Sequence, residues 1–233
     1  MQMPELPRAI SGECPKLAAA EVHSLAHGEL LHLRGRYGHG GRLGYEREWR
    51  AQPLRSGGGE LVDQGMHLID LTHWLSGALP LHCGLLRTQY WPMEVEDNAA
   101  LILGDGAARR GPWAMLHVTW TEWKNLFSLE IYCERAKIQV DGLGGSYGPE
   151  TLRIYRMGPE LGPPVLEETV FAAEDVSWSQ EWENLAGAIA DTDSQALNGD
   201  LADARYAWSV IEAAYSVGPF AAMRADVGRA VLG

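Results

Sequence analysis

The chain has 233 residues, 46% of them hydrophobic and 21% charged, which is enough apolar material for one large globular domain or two small ones. No apolar run approaches the roughly 18 residues that a membrane-spanning helix needs. Residues 1–10 contain no apolar stretch of signal-peptide length. The net charge of −12 makes nucleic acid a poor partner, because phosphate binding needs clustered positive charge. We therefore expect a cytoplasmic protein that binds neither membranes nor nucleic acid.

Two residue types narrow the class of protein further. Cys14, Cys83 and Cys133 are an odd number of cysteines without CxxC spacing, which predicts buried thiols and neither a disulfide framework nor a zinc site. Nine tryptophans and eight tyrosines are many for this length. Such an aromatic content favours a wall that binds carbohydrate or an oligomer interface.

In chain order, the first predicted helix covers residues 16–26, where apolar residues recur at helical spacing. A strand is predicted over residues 30–37, followed by a glycine-dense loop that runs toward Trp49. That loop is long for a plain connection, and long loops often carry function. The next predicted helix covers residues 60–77, with a glycine in its interior that is explained by a close backbone approach.

From residue 81 onward the apolar pattern changes to a period of two, which predicts adjacent strands and a mainly antiparallel sheet. Helices return near the C-terminus, where a Gly-Pro pair at 218–219 is a stop signal. The predicted strands cover residues 82–90, 97–103, 113–123, 126–133, 136–141, 151–156 and 168–171, and the predicted helices cover 178–190 and 201–217.

The order of helices, sheet and helices, without a linker, predicts a single α+β domain over residues 1–233. Its large, mainly antiparallel sheet should carry helices packed on one face. Because the helices cover one face only, we expect the open sheet face to form a homo-oligomer, in the simplest case a dimer.

The most informative stretch is the second helix, where Asp63, His67 and Asp70 follow one another at spacings of four and three. This spacing predicts an imidazole between two carboxylates on one helical face, which suits a group that gives and takes a proton near neutral pH. The alternative is a ladder of surface ion pairs. A metal site at His67, Asp70 and His73 is disfavoured, because residues six apart on a helix point in different directions.

The flanks of this helix offer candidates for substrate binding. Gly58 and Gly59 leave room for a substrate close to backbone N–H groups at the helix entrance. Trp49 could stack on a sugar ring, and Arg50 could hold an anionic group. Trp49 could equally serve to pack the preceding loop against the domain.

The whole stretch reads G-G-G-x-L-x-D-x-G-x-H-x-x-D-L-x-x-W-L-x-G, and it resembles the signature of the Gfo/Idh/MocA oxidoreductase family. The resemblance extends over roughly residues 17–217 and implies the C-terminal α+β domain of that family. It implies that His67 and Asp63 contact the hydroxyl or ketone that reacts, on a sugar, a polyol or a keto-sugar. Asp70, on the same helical face as His67, is expected to belong to the substrate site.

Members of the family bind NAD(P) through a Rossmann domain, and the sequence gives no sign of one. Neither Gly38–Gly44 nor Gly57–Gly59 has the G-x-G-x-x-G spacing or a βαβ context. The lysine of the family's Glu-Lys-Pro motif has no counterpart. We therefore expect no cofactor or metal on this chain alone, and NAD(P) through a partner Rossmann-domain protein.

Three functions remain open from the sequence. The chain could be the substrate-binding component of a split oxidoreductase. It could be a cofactor-independent isomerase, epimerase, dehydratase or lyase, since a His-Asp pair suffices for proton transfer next to a carbonyl. It could also be a binding or scaffolding module without turnover.

Overall fold

The computed structural model describes residues 13–171, 177–190 and 201–232. They form one eight-stranded sheet with the spatial order β2-β3-β4-β1-β5-β6-β7-β8. Six of its seven strand pairs are antiparallel, and the exception is the parallel pair of β1 and β4. The predicted α+β fold with a large, mainly antiparallel sheet is confirmed. The strands are β1 Leu30–Gly38, β2 Leu81–Arg87, β3 Asn98–Leu103, β4 Trp113–Thr119, β5 Leu126–Cys133, β6 Ala136–Asp141, β7 Glu150–Arg156 and β8 Val165–Phe171.

Alternation of side chains places one face of this sheet in the core. In β6, Ala136, Ile138 and Val140 are buried while the residues between them are partly exposed. Helices α1, α3 and α5 pack on the buried face. The helices are α1 Glu13–His23, α2 Pro53–Ser56, α3 Met66–Ser76, α4 Ser177–Ala190, α5 Leu201–Tyr215 and α6 Ala221–Leu232.

The opposite face is open and aromatic. The ring of His32 stacks between Trp113 and Tyr132, with ring centroids 5.1 Å and 4.3 Å away. The side chains of Trp113 and Met115 remain 41% exposed. Large aromatic and apolar side chains at this exposure are typical of a protein interface, so oligomerisation through this face stays a prediction.

Several boundaries differ from the sequence prediction. Strands β2 and β4 end at Arg87 and Thr119, several residues earlier than expected, because the chain turns away to form loops that surround Trp91 and Trp120. Helix α6, which follows the predicted stop, was not anticipated. Among the described residues, no helix is both long and apolar enough to cross a membrane.

The prediction of three buried thiols is wrong for one of them. Cys14 and Cys133 are buried, but Cys83 is exposed. Cys83 lies on β2, the edge strand of the sheet, where neighbouring residues His82 and Leu85 are also exposed. An edge strand has fewer neighbours to cover its side chains.

Candidate active site

The Asp63 and His67 motif lies at the start of the second long helical segment, which opens with a π-helical turn, Leu61–Gly65, before α3 begins. The predicted uninterrupted α-helix is therefore wrong at its first turn. A Cβ on Gly65 would lie 2.7 Å from the side chain of Leu61, one turn earlier, and 3.4 Å from the side chain of Val118 on β4, so side chains and not another backbone segment pack close to this glycine. Single π turns inside helices are frequent at functional sites.

A buried carboxylate, Glu96, anchors this turn. It accepts hydrogen bonds from the backbone N–H groups of Gly59 and Leu61, at 3.1 and 3.0 Å, and from the hydroxyl of Tyr215 at 2.7 Å. Burial raises the pKa of Glu96 to about 7, although these hydrogen bonds act to lower it. The entrance of the helix is thus tied to the loop before β3 and to α5.

The glycines at this entrance make room for protein groups. A Cβ on Gly58 would lie 2.2 Å from the Tyr215 hydroxyl, and one on Gly59 would lie 2.0 Å from the carbonyl oxygen of Glu96. Both glycines are buried, and the N–H of Gly59 already donates to Glu96 and Tyr215. Contact of Gly58 and Gly59 with a substrate stays a prediction, and their packing accounts for glycine without it.

Asp63 is held by an arginine. Its Oδ2 lies 3.1 Å from Nε of Arg50, and the guanidinium of Arg50 lies over the ring of Trp49, 4.6 Å from its centroid. Trp49 is 45% exposed, so part of its surface is free to meet a ligand while the rest packs against the protein. The sequence-predicted residues Trp49, Arg50 and Asp63 therefore form one connected row beside the helix.

His67 is partly buried behind that row. Burial lowers the pKa of His67, and the negative charge of Asp63 opposes the shift only in part. The imidazole is therefore neutral at neutral pH and can accept a proton. Its ring centroid lies 6.3 Å from that of Tyr37 on β1.

The other polar residues of the helix have different surroundings. Burial and the charge of Asp63 set the pKa of His67, and the arrangement of His67 between two carboxylates stays a prediction. A role of Asp70 in substrate binding stays a prediction. His73 lies 3.2 Å from Asp203 and stacks on Tyr206 of α5, so it faces another helix.

Sequence reasoning missed several groups that surround Asp63. His39, Glu60 and Asp63 each offer a nitrogen or oxygen atom, and these atoms lie within 4.8 Å of one another. Glu60 is fully buried. Near His67, Tyr147 packs edge-on against Tyr37 and accepts a hydrogen bond from Gln64. For Glu60, the one signal in the sequence was a glutamate on the apolar side of the predicted helix.

A separate open cleft of about 550 Å³ lies between the loops that contain Leu43 and Tyr90. Glu46, Arg47 and Trp91 also line it. Neither Asp63 nor His67 contributes to its wall. This cleft is therefore not where a substrate would meet the imidazole.

The open, mainly antiparallel sheet with helices on one face matches the C-terminal domain of one family of oxidoreductases. The chain belongs to the GFO/IDH/MocA family: the family's C-terminal domain matches residues 16–139, more than half of the chain. A search of curated proteins finds no match.

Solved structures share this fold. An aldose-aldose oxidoreductase from Caulobacter crescentus, complexed with glycerol, is 20% identical with a TM-score of 0.69, covering 86% of this chain and 57% of that one. A levoglucosan dehydrogenase in complex with NADH and levoglucosan is 17% identical with a TM-score of 0.68, covering 86% and 60%. A UDP-N-acetylglucosamine 3-dehydrogenase from Acidithiobacillus ferrooxidans is 17% identical with a TM-score of 0.65, covering 88% and 58%. The chain thus spans less than two thirds of the length of these structures.

Proposed function

We propose that this chain binds a sugar, a polyol or a keto-sugar and performs the proton transfer of an NAD(P)-dependent dehydrogenase. The observation that carries the proposal is a neutral imidazole, His67, beside the carboxylate of Asp63, which Arg50 holds in place. A dehydrogenase that oxidises an alcohol needs such a base for the hydroxyl proton. The sugar-related solved structures support the substrate class.

His67 and Asp63 have different roles in the proposed reaction. In the oxidation of an alcohol, His67 accepts the hydroxyl proton as the carbonyl forms, and the charge of Asp63 stabilises the resulting imidazolium. In the reverse reduction, the imidazolium returns the proton to the carbonyl oxygen. Burial keeps His67 neutral to lower pH than a free histidine, so kcat/KM for oxidation should lose its base only below about pH 6.5.

The substrate contacts follow from the row beside the helix. Trp49 presents an exposed ring that can stack on the apolar face of a sugar. Arg50 orients Asp63 and can also bind an anionic substituent. Gly58 and Gly59 at the helix entrance and Asp70 on the same helix complete the proposed substrate set.

NAD(P) belongs to a Rossmann domain outside the residues described. Within those residues parallel pairing joins only β1 and β4, so they form no series of alternating parallel strands and helices for a dinucleotide. When bound, the nicotinamide supplies the hydride acceptor. We expect this domain on a partner chain and a homo-oligomer through the open sheet face, in a cytoplasmic enzyme of carbohydrate metabolism.

The test is the reduction of NAD(P)⁺ by a panel of aldoses and polyols, with Rossmann-domain proteins encoded beside this chain. His67→Ala should lower kcat/KM by about 10²- to 10⁴-fold, the range for general acid-base groups. Asp63→Asn should cost less, because Asp63 acts through His67. His73→Ala is the matched control, since His73 lies on the same helix but faces α5.

A second assay distinguishes dehydrogenation from cofactor-independent chemistry. Deuterium exchange at the carbon next to a ketone, measured without NAD(P), would identify an isomerase or lyase that uses the same neutral imidazole. Full activity of His67→Ala in whichever assay the wild type passes would contradict the proposed role of His67. A wild-type chain inactive in both assays with every partner would favour a binding module.

A further inference from the structure

The side chain of Glu60 lies close to Asp63 and has no role in the proposed reaction. It is 0% exposed, and neither of its carboxyl oxygens has a hydrogen-bond partner. An ionised carboxylate in this position would cost several kcal/mol, because its hydration is lost without replacement. Glu60 must therefore either carry a proton or bind a cation.

The geometry of His39 argues against a cation. Its Nδ1 accepts a hydrogen bond from the backbone N–H of Gly41 at 2.9 Å, so the proton of the neutral ring lies on Nε2. A protonated Nε2 has no lone pair for a metal. Asp63, the third member of the cluster, is already paired with the cationic Arg50.

The charges around Glu60 favour its neutral form. Burial raises the pKa of Glu60 well above its ordinary value, and the charges of Asp63, Glu96 and Asp97 add to the shift while Arg50 opposes it. Burial also lowers the pKa of His39, which keeps that neighbour uncharged.

We propose that Glu60 is a positioning residue, which stays protonated and donates a hydrogen bond to Asp63, fixing the carboxylate that supports His67. A carboxyl oxygen of Glu60 lies within 4.8 Å of one of Asp63, so a rotation of the Glu60 carboxyl group or one bridging water would complete a hydrogen bond between them. Glu60 touches no substrate and acts through Asp63 alone. Its effect on catalysis rests on the proposed function, whereas its protonation and its effect on His67 do not.

Two variants separate positioning from packing. Glu60→Gln keeps a neutral donor of similar size, whereas Glu60→Leu keeps the volume and removes the donor. Glu60→Leu no longer buries a polar group but leaves Asp63 without a donor, and because these two effects oppose each other, its midpoint of urea unfolding should stay close to that of the wild type. Its kcat/KM should nevertheless fall by about 10- to 100-fold, the loss expected for one charge-assisted hydrogen bond. Glu60→Gln should retain most activity.

Nuclear magnetic resonance tests the inference without turnover. With carboxyl-labelled glutamate, the signal that disappears in both variants should titrate well above the ordinary glutamate range. With labelled histidine, Glu60→Leu should raise the pKa of His67, because Asp63 no longer shares its charge with a donor, and Glu60→Gln should leave it close to wild type. The signal of His73, which pairs with Asp203, is the internal control.

Three results would overturn the inference. The Glu60 signal could titrate in the ordinary range, or His67 could titrate identically in Glu60→Leu and wild type. Stoichiometric binding of Zn²⁺ to the wild-type chain, abolished in both variants, would mean that a cation satisfies Glu60. If the wild type oxidises no sugar, the proposed function fails, and the two titrations still decide the protonation and positioning of Glu60.

Discussion

Replacement of Tyr215 by phenylalanine should destabilise the protein more at high pH than at low pH. The hydroxyl of Tyr215 donates to the carboxyl group of Glu96 at 2.7 Å and accepts from the N–H of Gly59 at 3.1 Å. Phenylalanine removes only the hydroxyl. The hydrogen bond that is lost ends on a group whose charge depends on pH, because the pKa of Glu96 is about 7.

The magnitude follows from the charge state of Glu96. At about pH 5.5 the carboxyl group is neutral, and losing a neutral hydrogen bond costs about 1 kcal/mol. At about pH 8.5 it is ionised in the wild type, and losing a bond to a charged group costs about 2–3 kcal/mol. The difference of roughly 1.4 kcal/mol corresponds to one pKa unit, so the pKa of Glu96 should rise by about one unit in the variant.

The sign of the pH dependence can be derived from the same shift. The folded-state pKa of Glu96 is raised above its unfolded value, so its contribution to stability is present below about pH 4.5 and is lost as the pH rises to about 7. In Tyr215→Phe the loss continues to about pH 8. Tyr215 itself stays protonated throughout, because burial and Glu96 raise its pKa.

Urea unfolding at the two pH values measures this difference, provided that unfolding is two-state. The matched control is Tyr206→Phe on the same helix, whose hydroxyl donates to the carbonyl of Leu79 at 2.8 Å and accepts from its N–H at 3.0 Å. These partners do not titrate, so the control should lose the same free energy at both pH values. Equal losses for Tyr215→Phe at both pH values would refute the reasoning.

Two further substitutions test packing and hydrogen bonds near Glu96. Gly59→Ala places a Cβ 2.0 Å from the carbonyl oxygen of Glu96, so it should cost about 3 kcal/mol or more in urea unfolding, whereas Gly158→Ala, with nothing within 4 Å, should be near neutral. Asp97 accepts backbone hydrogen bonds from all three residues of 89–91, at 2.7–2.9 Å. Asp97→Ala should cost about 2–4 kcal/mol and speed amide exchange at 89–91; unchanged exchange there would contradict this bracing role.

The sequence predicts most of the sheet because its signal is local. Residues 126–133 and 136–141 alternate so regularly that their predicted bounds equal those of β5 and β6. The prediction does not extend to the pairing of β1 with β4, which depends on contacts far apart in the sequence. Helix α6 was missed because a glycine and a proline precede it, and such pairs signal the end of a helix and not the start of another.

In the candidate site too, the sequence predicts the residues that form a local pattern and misses those that depend on distant contacts. His67 and Asp63 were found from their spacing and from the resemblance. Glu60 and Glu96 were missed because their chemistry comes from burial and from partners on other elements, which no local pattern encodes. Cys83 was misjudged because a sequence does not reveal which strand forms the edge of a sheet.

The position of β1 in the middle of the sheet also constrains how the chain can be made. β1 leaves the ribosome before the other seven strands of this sheet, yet its neighbours on both sides, β4 and β5, are synthesised only after β2 and β3. Until residue 119 has emerged, both edges of β1 lack their native partners, and the edge that pairs with β5 lacks its partner until residue 133. Sheets built from such distant pairs fold slowly, and strands promote aggregation until they are paired. Nascent chains that stop before residue 133 should therefore depend on chaperones, and longer ones should not.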